Sequence, residues 1–275
     1  MRARVSAVAG VLLLLQGCAG VAADLAASFL GSGADTLRGY FDYESAGQAA
    51  GTTILQLEAL HGASPDNETL NIMLAKAYIA YAFGWVMDEQ EAAFVANDFA
   101  AADHQKQRGF LMYSRARDLL MHAMRERDEG IDDVLHGDPD RLASYLREEY
   151  DDEEDDPELL LWCAVAWGSS ITNSPEMDAL IDLPIAKTLA QHVAYLNEGY
   201  ENGAALALLG GFEVAYPRSL GGDWDKGRAY FERALEISDR RDHLHQLNYA
   251  RLYAVNAMDE ELFVSLLREI IDVPA

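Results

Sequence analysis

Hydrophobic residues recur at intervals of three and four along most of the chain. The clearest stripes lie within 70–81, 112–124 and 227–237, and this spacing is typical of one buried face of an α-helix. We find no run of period-two alternation bounded by turn residues, which is the pattern of a strand. The sequence therefore predicts an all-α fold with almost no β-structure. The predicted helices lie at 22–30, 45–61, 66–86, 90–99, 105–127, 140–149, 158–171, 176–182, 185–197, 202–215, 224–238, 242–256 and 260–271.

Four prolines share a local pattern, in which Ser or Asp precedes the proline and an acidic residue follows it. A proline loses no hydrogen bond at the first position of a helix, because the first N–H groups have no partner within the helix. The preceding side chain can cap the helix, and the acid faces the positive end of the helix dipole. The pattern predicts helix starts near Pro65, Pro139, Pro157 and Pro175.

The first residues have the composition of a secretory leader. Two arginines precede an apolar stretch at Val5–Leu15. The segment Leu15-Gln16-Gly17-Cys18 then resembles a bacterial lipobox, whose cysteine carries a lipid. We expect a lipoprotein signal peptide at 1–17, lipidation of Cys18 and a periplasmic protein; Ala19 at the next position favours the inner face of the outer membrane. An ordinary signal peptide, or a buried N-terminal helix with a stray cysteine, is the alternative.

The chain is strongly acidic, with 46 Asp and Glu against 21 Lys and Arg and a formal net charge of −25. This charge argues against nucleic-acid partners and against adhesion to anionic membranes through a basic patch. No apolar run reaches the length of about 18 residues that spans a bilayer. Eight of the nine residues in 148–156 are acidic. We predict that they form a solvated linker between two helical halves of a single domain at 18–275; a calcium loop would need glycine turns and spaced carboxylates.

Residues suited to catalysis or metal binding are sparse. Cys163 lies in an apolar run, where we expect an inert packed thiol. A zinc site needs three or four converging ligands, so we expect surface or cap roles for His243 and His245. No nucleophile elbow, phosphate loop or zinc-protease motif occurs. We therefore expect no catalytic residue, no metal and no cofactor; an enzyme such as a hydrolase is the third possible function, without a nucleophile–base pair to support it.

A weak repeat accompanies the helical pattern. Tetratricopeptide units pair two helices through small residues at fixed spacings. Two segments fit the first helix of such a unit and two fit the second: Leu74-Ala75-x-x-Tyr78 and Tyr249-Ala250-x-x-Tyr253, then Gly109-x3-Tyr113-x2-Ala116 and Gly227-x3-Phe231-x2-Ala234. We predict degenerate, irregularly spaced tetratricopeptide-like hairpins, interrupted by an inserted segment at Met87–Gln105.

Several longer segments, in order after the lipobox, resemble one known family over roughly residues 20–272. They are Tyr113-Ser114-Arg115-Ala116-Arg117, Leu160–Ile171, Tyr216–Asp223 followed by Lys226–Leu235, Asn248-Tyr249-Ala250 and Asp259-x3-Phe263-x2-Leu266-Leu267. The family is the T component of tripartite ATP-independent periplasmic (TRAP) transporters, the TatT family. The chain departs from the family pattern at Gly227, where alanine is more usual, in Met87–Gln105 and in the acidic segment.

The resemblance implies a non-enzymatic, lipid-anchored transport accessory. Such proteins are expected to form homotrimers with a pore through each subunit and to bind the transporter's solute-binding subunit, with a hydrophobic ligand handed over. The alternative is a tetratricopeptide-like periplasmic scaffold that binds a protein or peptide and carries no solute.

Aromatic residues in the second half of the chain are the candidates for lining a pore or ligand site, although aromatics at helical spacing also form cores. The candidates are Trp162, Trp167, Tyr195, Tyr200, Phe212 and Tyr216, together with Gly221 and Gly222. The two glycines permit backbone angles that other residues rarely adopt. We expect them to form a turn in which Asp223 caps the following helix, and this turn can also line a cavity.

Overall fold

The computed structural model describes residues 40–272, so the predicted helix at 22–30 and Cys18 lie outside the described residues. Within 40–272 every regular element is a helix and no strand occurs, which confirms the all-α prediction. The α-helices are α1 (Tyr43–Ala63), α2 (Glu68–Tyr81), α3 (Met87–Val95), α4 (Phe99–Arg127), α5 (Asp132–Leu135), α6 (Pro139–Glu149), α7 (Asp156–Asn173), α8 (Leu183–Leu196), α9 (Ala204–Val214), α10 (Trp224–Ile237), α11 (His243–Asn248), α12 (Val255–Ala257) and α13 (Glu260–Ile271). Short 3-10 helices occur at Glu129–Ile131, Met177–Asp182, Tyr200–Gly203 and Arg218–Leu220, and π-helical segments at Ala82–Val86 and Tyr249–Ala254.

Side-chain caps explain where many of the helices begin. In each case an aspartate or asparagine oxygen accepts a hydrogen bond from a backbone N–H of the first turn, which would otherwise lack a partner. The capping residues are Asp42, Asn67, Asp98, Asp138, Asp223, Asp242 and Asp259.

Two of the four proline predictions hold closely. Helix α6 begins at Pro139 with Asp138 as its cap, and α7 begins one residue before Pro157. The start predicted at Pro65 is displaced to Glu68, because Asn67 is the cap and accepts from the backbone N–H three residues on at 2.8 Å.

At Pro175 no α-helix begins. A 3-10 helix forms instead at Met177–Asp182, and it ends where Pro184 enters the first turn of α8. A proline ring clashes with the carbonyl four residues earlier in an α-helix, so an α-helix could not run through this position.

The described chain divides into two compact units. The first contains the described residues up to Glu129 together with Thr172–Pro175, and the second contains Gly130–Ile171 and the residues from Glu176 onward. The predicted acidic linker connects α6 and α7, which both belong to the second unit. Residues 151–155 are exposed as expected, but Asp156 is buried and its carboxylate accepts from the backbone N–H of Asp152 at 3.0 Å.

In the first unit, α2 packs against both α1 and α4. A polar cluster joins these three helices where they meet. The Arg115 guanidinium of α4 donates two hydrogen bonds of 2.9 Å to the Glu58 carboxylate of α1, and the Tyr78 hydroxyl of α2 donates to the same carboxylate at 2.9 Å. The hydrogen bonds from Arg115 hold the pKa of Glu58 below its usual value. Because three helices supply the cluster, it fixes their relative register.

One helical stretch, Glu68–Val95, is long and apolar enough to cross a membrane by length and composition alone. Polar residues such as Asn71 and Lys76 interrupt the stretch, so the sequence has no continuous apolar run here. Leu70, Leu74 and Ala75 within it are fully buried in the protein. The most apolar 18-residue window of the stretch is 44% buried in the protein.

In the second unit, α9 and α10 approach each other to backbone contact. A Cβ atom on Gly210 would lie 3.1 Å from the Gly227 carbonyl oxygen, and one on Gly227 would lie 3.2 Å from the Gly210 carbonyl oxygen. The fully buried Phe231 fills the space beside them and stacks on Tyr249 at a ring-centroid distance of 4.9 Å. The two glycines therefore allow the close helix crossing.

The four segments with tetratricopeptide-like spacing lie on buried helix faces. The segment at Tyr249–Ala254 is π-helical and not α-helical, so its side chains depart from the regular spacing of a first helix. The inserted segment Met87–Gln105 forms α3 and the start of α4. The assignment as a tetratricopeptide-like repeat stays a prediction.

Candidate functional site

All the predicted ligand-lining residues belong to the second unit. They are distributed over several elements and do not share one face. Two lie on α7, one on α8, one at the turn before α9, one on α9 and three between α9 and α10: Trp162 and Trp167, Tyr195, Tyr200, Phe212, and Tyr216, Gly221 and Gly222.

Trp167 and Phe212 are core residues in this unit, 4% and 8% exposed. The Phe212 ring lies against the α7 backbone, because a Cβ atom on Gly168 would come within 2.7 Å of it. The Trp167 indole Nε1 donates to the Asp182 carboxylate at 3.4 Å. Both rings are thus packed between helices, which is the structural role weighed for them in the sequence analysis.

Trp162 and Tyr200 are half-buried. Burial raises the pKa of Tyr200, and the neighbouring carboxylates Glu158 and Glu201 raise it further. Since Glu158 and Trp162 are four residues apart on α7, they lie on the same helix face. The environment of the Tyr200 hydroxyl is therefore acidic as well as partly buried.

Tyr195 is the most exposed of the candidate aromatics, with 70% of its surface accessible. Its ring stacks on His192 at 5.8 Å between centroids, and the Arg147 guanidinium lies 5.9 Å from the ring centroid. His192 is buried and forms a 2.6 Å hydrogen bond with the Tyr150 carbonyl oxygen. An exposed tyrosine held by a buried base and flanked by arginine has the composition of a protein-contact hot spot.

The glycine corner is a tight turn and a helix cap. Gly221 has φ of +98°, in the left-handed region, and a Cβ atom on Gly222 would lie 2.0 Å from the Tyr216 carbonyl oxygen. The same carbonyl accepts from Trp224 Nε1 at 2.9 Å. Asp223 caps α10 by accepting from the Lys226 backbone N–H at 3.1 Å. The corner is closed by its own backbone, so its first role is to join α9 to α10.

A small cleft in the same unit contains none of the predicted aromatic residues. Its volume is about 250 Å³, and it lies between the turn that precedes α6 and the start of α8. The apolar part of its lining consists of Leu135, Pro139, Leu142, Ile181, Pro184 and Ile185. Asp182, Asp138 and His136 supply the polar part, and the Asp182 carboxylate also accepts the hydrogen bond from the Trp167 indole.

Sequence reasoning missed this cleft because its walls come from two segments, 135–142 and 181–185, whose nearest ends are 39 positions apart, and nothing in the local pattern joins them. A second cavity, a broad depression along α13 of about 1030 Å³, contains mostly charged side chains such as Glu261, Arg268 and Glu269. The aromatic candidates are absent from the lining of this depression too.

Two histidines have surroundings that the sequence did not predict. The expected surface or cap role is wrong for His245, which is 2% exposed and hydrogen-bonds through Nε2 to the Asn202 carbonyl oxygen at 2.9 Å. The left-handed backbone of Asn202, with φ of +60°, turns that carbonyl towards the helix. In the first unit, His122 lies beside the carboxylates of Asp66 and Glu126, and their nearest ligand atoms are all within 4.8 Å of one another.

The spacing of His122 and Glu126, four residues apart on α4, is a signal that the sequence does contain. Asp66 is 56 residues away, and only the packing of α2 against α4 brings it to them.

Comparison with known proteins decides the family. A sequence profile described as "TAtT: TRAP transporter T-component" matches residues 41–275, nearly the whole chain. The protein belongs to the TRAP transporter T-component family. A relative from Treponema pallidum (strain Nichols), described as an uncharacterized protein, is 25% identical over 218 residues. That alignment covers 76% of this chain and 64% of the relative, so this chain corresponds to less than two thirds of the relative's length.

Membership of the T-component family has direct consequences for the observations above. The family is described as a transporter component, and this description makes a transport-related role the first one to consider for the geometry above. The cleft and the exposed Tyr195 are the features of the second unit that we consider for such a role.

Proposed function

We propose that this T-component is a periplasmic accessory that binds the extracytoplasmic solute-binding subunit of its TRAP transporter. The family match over residues 41–275 is the observation that carries the proposal. A lipid on Cys18, at the end of the lipobox, would hold the protein at the inner face of the outer membrane. Assembly as a homotrimer with a pore through each subunit follows from the family resemblance.

A contact surface for the partner subunit is suggested by Tyr195 and Arg147. The tyrosine is largely exposed, and its stacking on His192 limits the entropy lost when it is buried by a partner. The formal charge of −25 favours a partner with a basic patch and an association rate that falls as salt is added. In this proposal, Tyr195 is the aromatic anchor of the contact, and the negative charge of the protein attracts the partner before contact.

A hydrophobic ligand would suit the cleft between α6 and α8 better than the separate aromatic residues. The cleft has an aliphatic wall that includes Leu142 and Ile185, and polar side chains at Asp138 and Asp182. Its volume of about 250 Å³ is slightly below the range of about 300–1,000 Å³ typical of ligand pockets. A short apolar chain with a polar head is the class of solute that this shape and lining accept.

Binding to the solute-binding subunit is tested by biolayer interferometry with both purified proteins. The proposal predicts saturable binding at low salt and a slower association rate at 500 mM salt than at about 50 mM. Tyr195→Ala should weaken binding by about tenfold or more if the ring is an anchor. Tyr230→Ala is the matched control, since Tyr230 also lies near a cation, Lys226, at 5.5 Å. Absence of binding at any salt concentration would refute the proposed partner.

A protein-binding scaffold without a solute is the second candidate. The cleft's small volume is the observation that favours it. Ile181→Trp enlarges an exposed side chain of the cleft lining and leaves the core unchanged, so it separates the two functions: it should weaken retention of a hydrophobic ligand and leave subunit binding intact. If the wild-type protein retains no ligand and still binds the subunit, the scaffold is the better description.

A further inference from the structure

Three side chains with metal-ligand chemistry converge at one edge of the first unit. Asp66 comes from the turn between α1 and α2, and His122 and Glu126 come from α4. One ligand atom from each residue lies within 4.8 Å of the other two. The closest pair, His122 Nε2 and Asp66 Oδ1, is 3.0 Å apart.

The helix places two of the three ligands correctly without further help. His122 and Glu126 are four residues apart, so their side chains lie one above the other on the same face of α4. Both are in the last turns of a helix that ends at Arg127. The carbonyl groups at a helix C-terminus carry partial negative charge, and this favours a bound cation over an anion.

The third ligand is on a turn that buried groups hold in place. Asn71 is 0% exposed and donates from its side-chain amide to the Pro65 carbonyl oxygen at 2.8 Å. Arg127, the last residue of α4, donates two hydrogen bonds of 2.6 Å to the carboxylate of Glu68, the first residue of α2, and so joins the two helix ends. Hydrogen bonds therefore anchor both the turn that carries Asp66 and the end of α4 that carries His122 and Glu126.

The donor set indicates the kind of cation. One imidazole nitrogen and two carboxylate oxygens suit a borderline divalent ion such as Zn²⁺, whereas Ca²⁺ takes six to eight oxygen ligands. Ligands about 2.1 Å from a tetrahedral ion are about 3.4 Å apart, which the present separations bracket. We propose that Asp66, His122 and Glu126 form a binding site for a divalent transition-metal ion, with the fourth position open to water or to a ligand from a partner. This proposal is independent of the transport role.

The site is tested with Zn²⁺ alone by isothermal titration calorimetry on the purified full-length protein, against a competing chelator. We expect one Zn²⁺ per chain at this site, resistant to excess Ca²⁺. Asp66→Asn, His122→Asn and Glu126→Gln should each weaken binding by at least about tenfold. The matched controls are His104→Asn and Asp103→Asn, which change an exposed histidine and an exposed carboxylate on the same helix.

Thermal unfolding provides a second measurement that does not depend on the calorimetric signal. An ion bound only by the folded protein raises the unfolding temperature, and Zn²⁺ should do so in the wild type and both controls but not in the three site variants. Circular dichroism establishes that each variant is folded. The proposal is overturned if Zn²⁺ does not bind, if binding survives all three substitutions, or if only His122→Asn weakens it. The last result would indicate a lone histidine hydrogen-bonded to Asp66.

Discussion

Gly210 is the position at which a single methyl group tests the helix crossing of the second unit. In Gly210→Ala the new Cβ would lie 2.8 Å from Phe231 Cδ2 and 3.1 Å from the Gly227 carbonyl oxygen. Phe231 is fully buried and stacked on Tyr249, so the ring has little room to move. The second contact is with backbone, which can move only if the two helices separate.

The size of the effect follows from two opposing contributions. Adding a methyl group to a packed core costs about 1–3 kcal/mol, and a clash with backbone belongs in the upper half of that range. Alanine has a higher helix propensity than glycine, which returns about 1 kcal/mol. We therefore expect Gly210→Ala to lower the free energy of unfolding by about 1–2 kcal/mol.

Urea unfolding followed by far-ultraviolet circular dichroism measures this difference, provided that the slope of the free energy against urea is unchanged. Gly62→Ala is the matched control, because no atom lies within 4 Å of the added methyl group. The control should unfold at the same urea concentration as the wild type or at a slightly higher one. A midpoint for Gly210→Ala equal to or above that of the wild type would refute the close crossing of α9 and α10.

Three further predictions concern stability. Arg115→Met removes the two hydrogen bonds that the guanidinium donates to the Glu58 carboxylate. Because both side chains are partly exposed, the loss should reduce the free energy of unfolding by about 1 kcal/mol, measured by urea unfolding. Gly222→Ala forces the Tyr216 carbonyl from its place and should cost about 2 kcal/mol or more, measured in the same way. Burial lowers the pKa of His192 from its ordinary value of 6.5, so the folded protein favours the neutral imidazole. The contribution of His192 to the free energy of unfolding should therefore be complete above pH 6.5 and decrease as the pH falls towards the lowered pKa. Urea midpoints measured across that pH range test this.

Each of these predictions has its own control. Arg241→Met removes a pair with Asp239 that is almost fully exposed, and it should not change stability measurably. Gly62→Ala serves again for Gly222→Ala, and an equal midpoint for the two variants would contradict the turn geometry. His192→Gln removes the titrating group, so its stability should depend less on pH below 6.5 than that of the wild type; an unchanged pH profile would mean that His192 does not contribute.

The helices could be predicted from sequence because their signals are local. Apolar spacing and capping residues such as Asp98, Asp138 and Asp223 act within a few positions of the helix they start. The π-helix at Tyr249–Ala254 has no comparable local signal in the sequence, which fits a regular α-helical spacing there. The helix predicted at 176–182 is a 3-10 helix at Met177–Asp182, and Pro184 in the first turn of the next helix prevents an α-helix from running through this position.

The candidate sites were harder to predict, because each depends on residues that are distant in sequence. The aromatic candidates are individually reasonable, but Trp167 and Phe212 are packed in the core while Tyr195 is exposed. Each lies near apolar residues in its own helix, so the local sequence did not distinguish the buried rings from the exposed one. Asp66 and His122 meet only after α2 and α4 have packed.

Native mass spectrometry of the purified protein mixed with the TRAP solute-binding subunit tests the central claim most directly. The account predicts a complex whose mass is the sum of the two proteins in whole-number ratio, built on three copies of this chain and carrying additional mass from a small hydrophobic molecule. Separate proteins, with this chain as a bare monomer at every concentration and salt condition, would contradict the proposed accessory role.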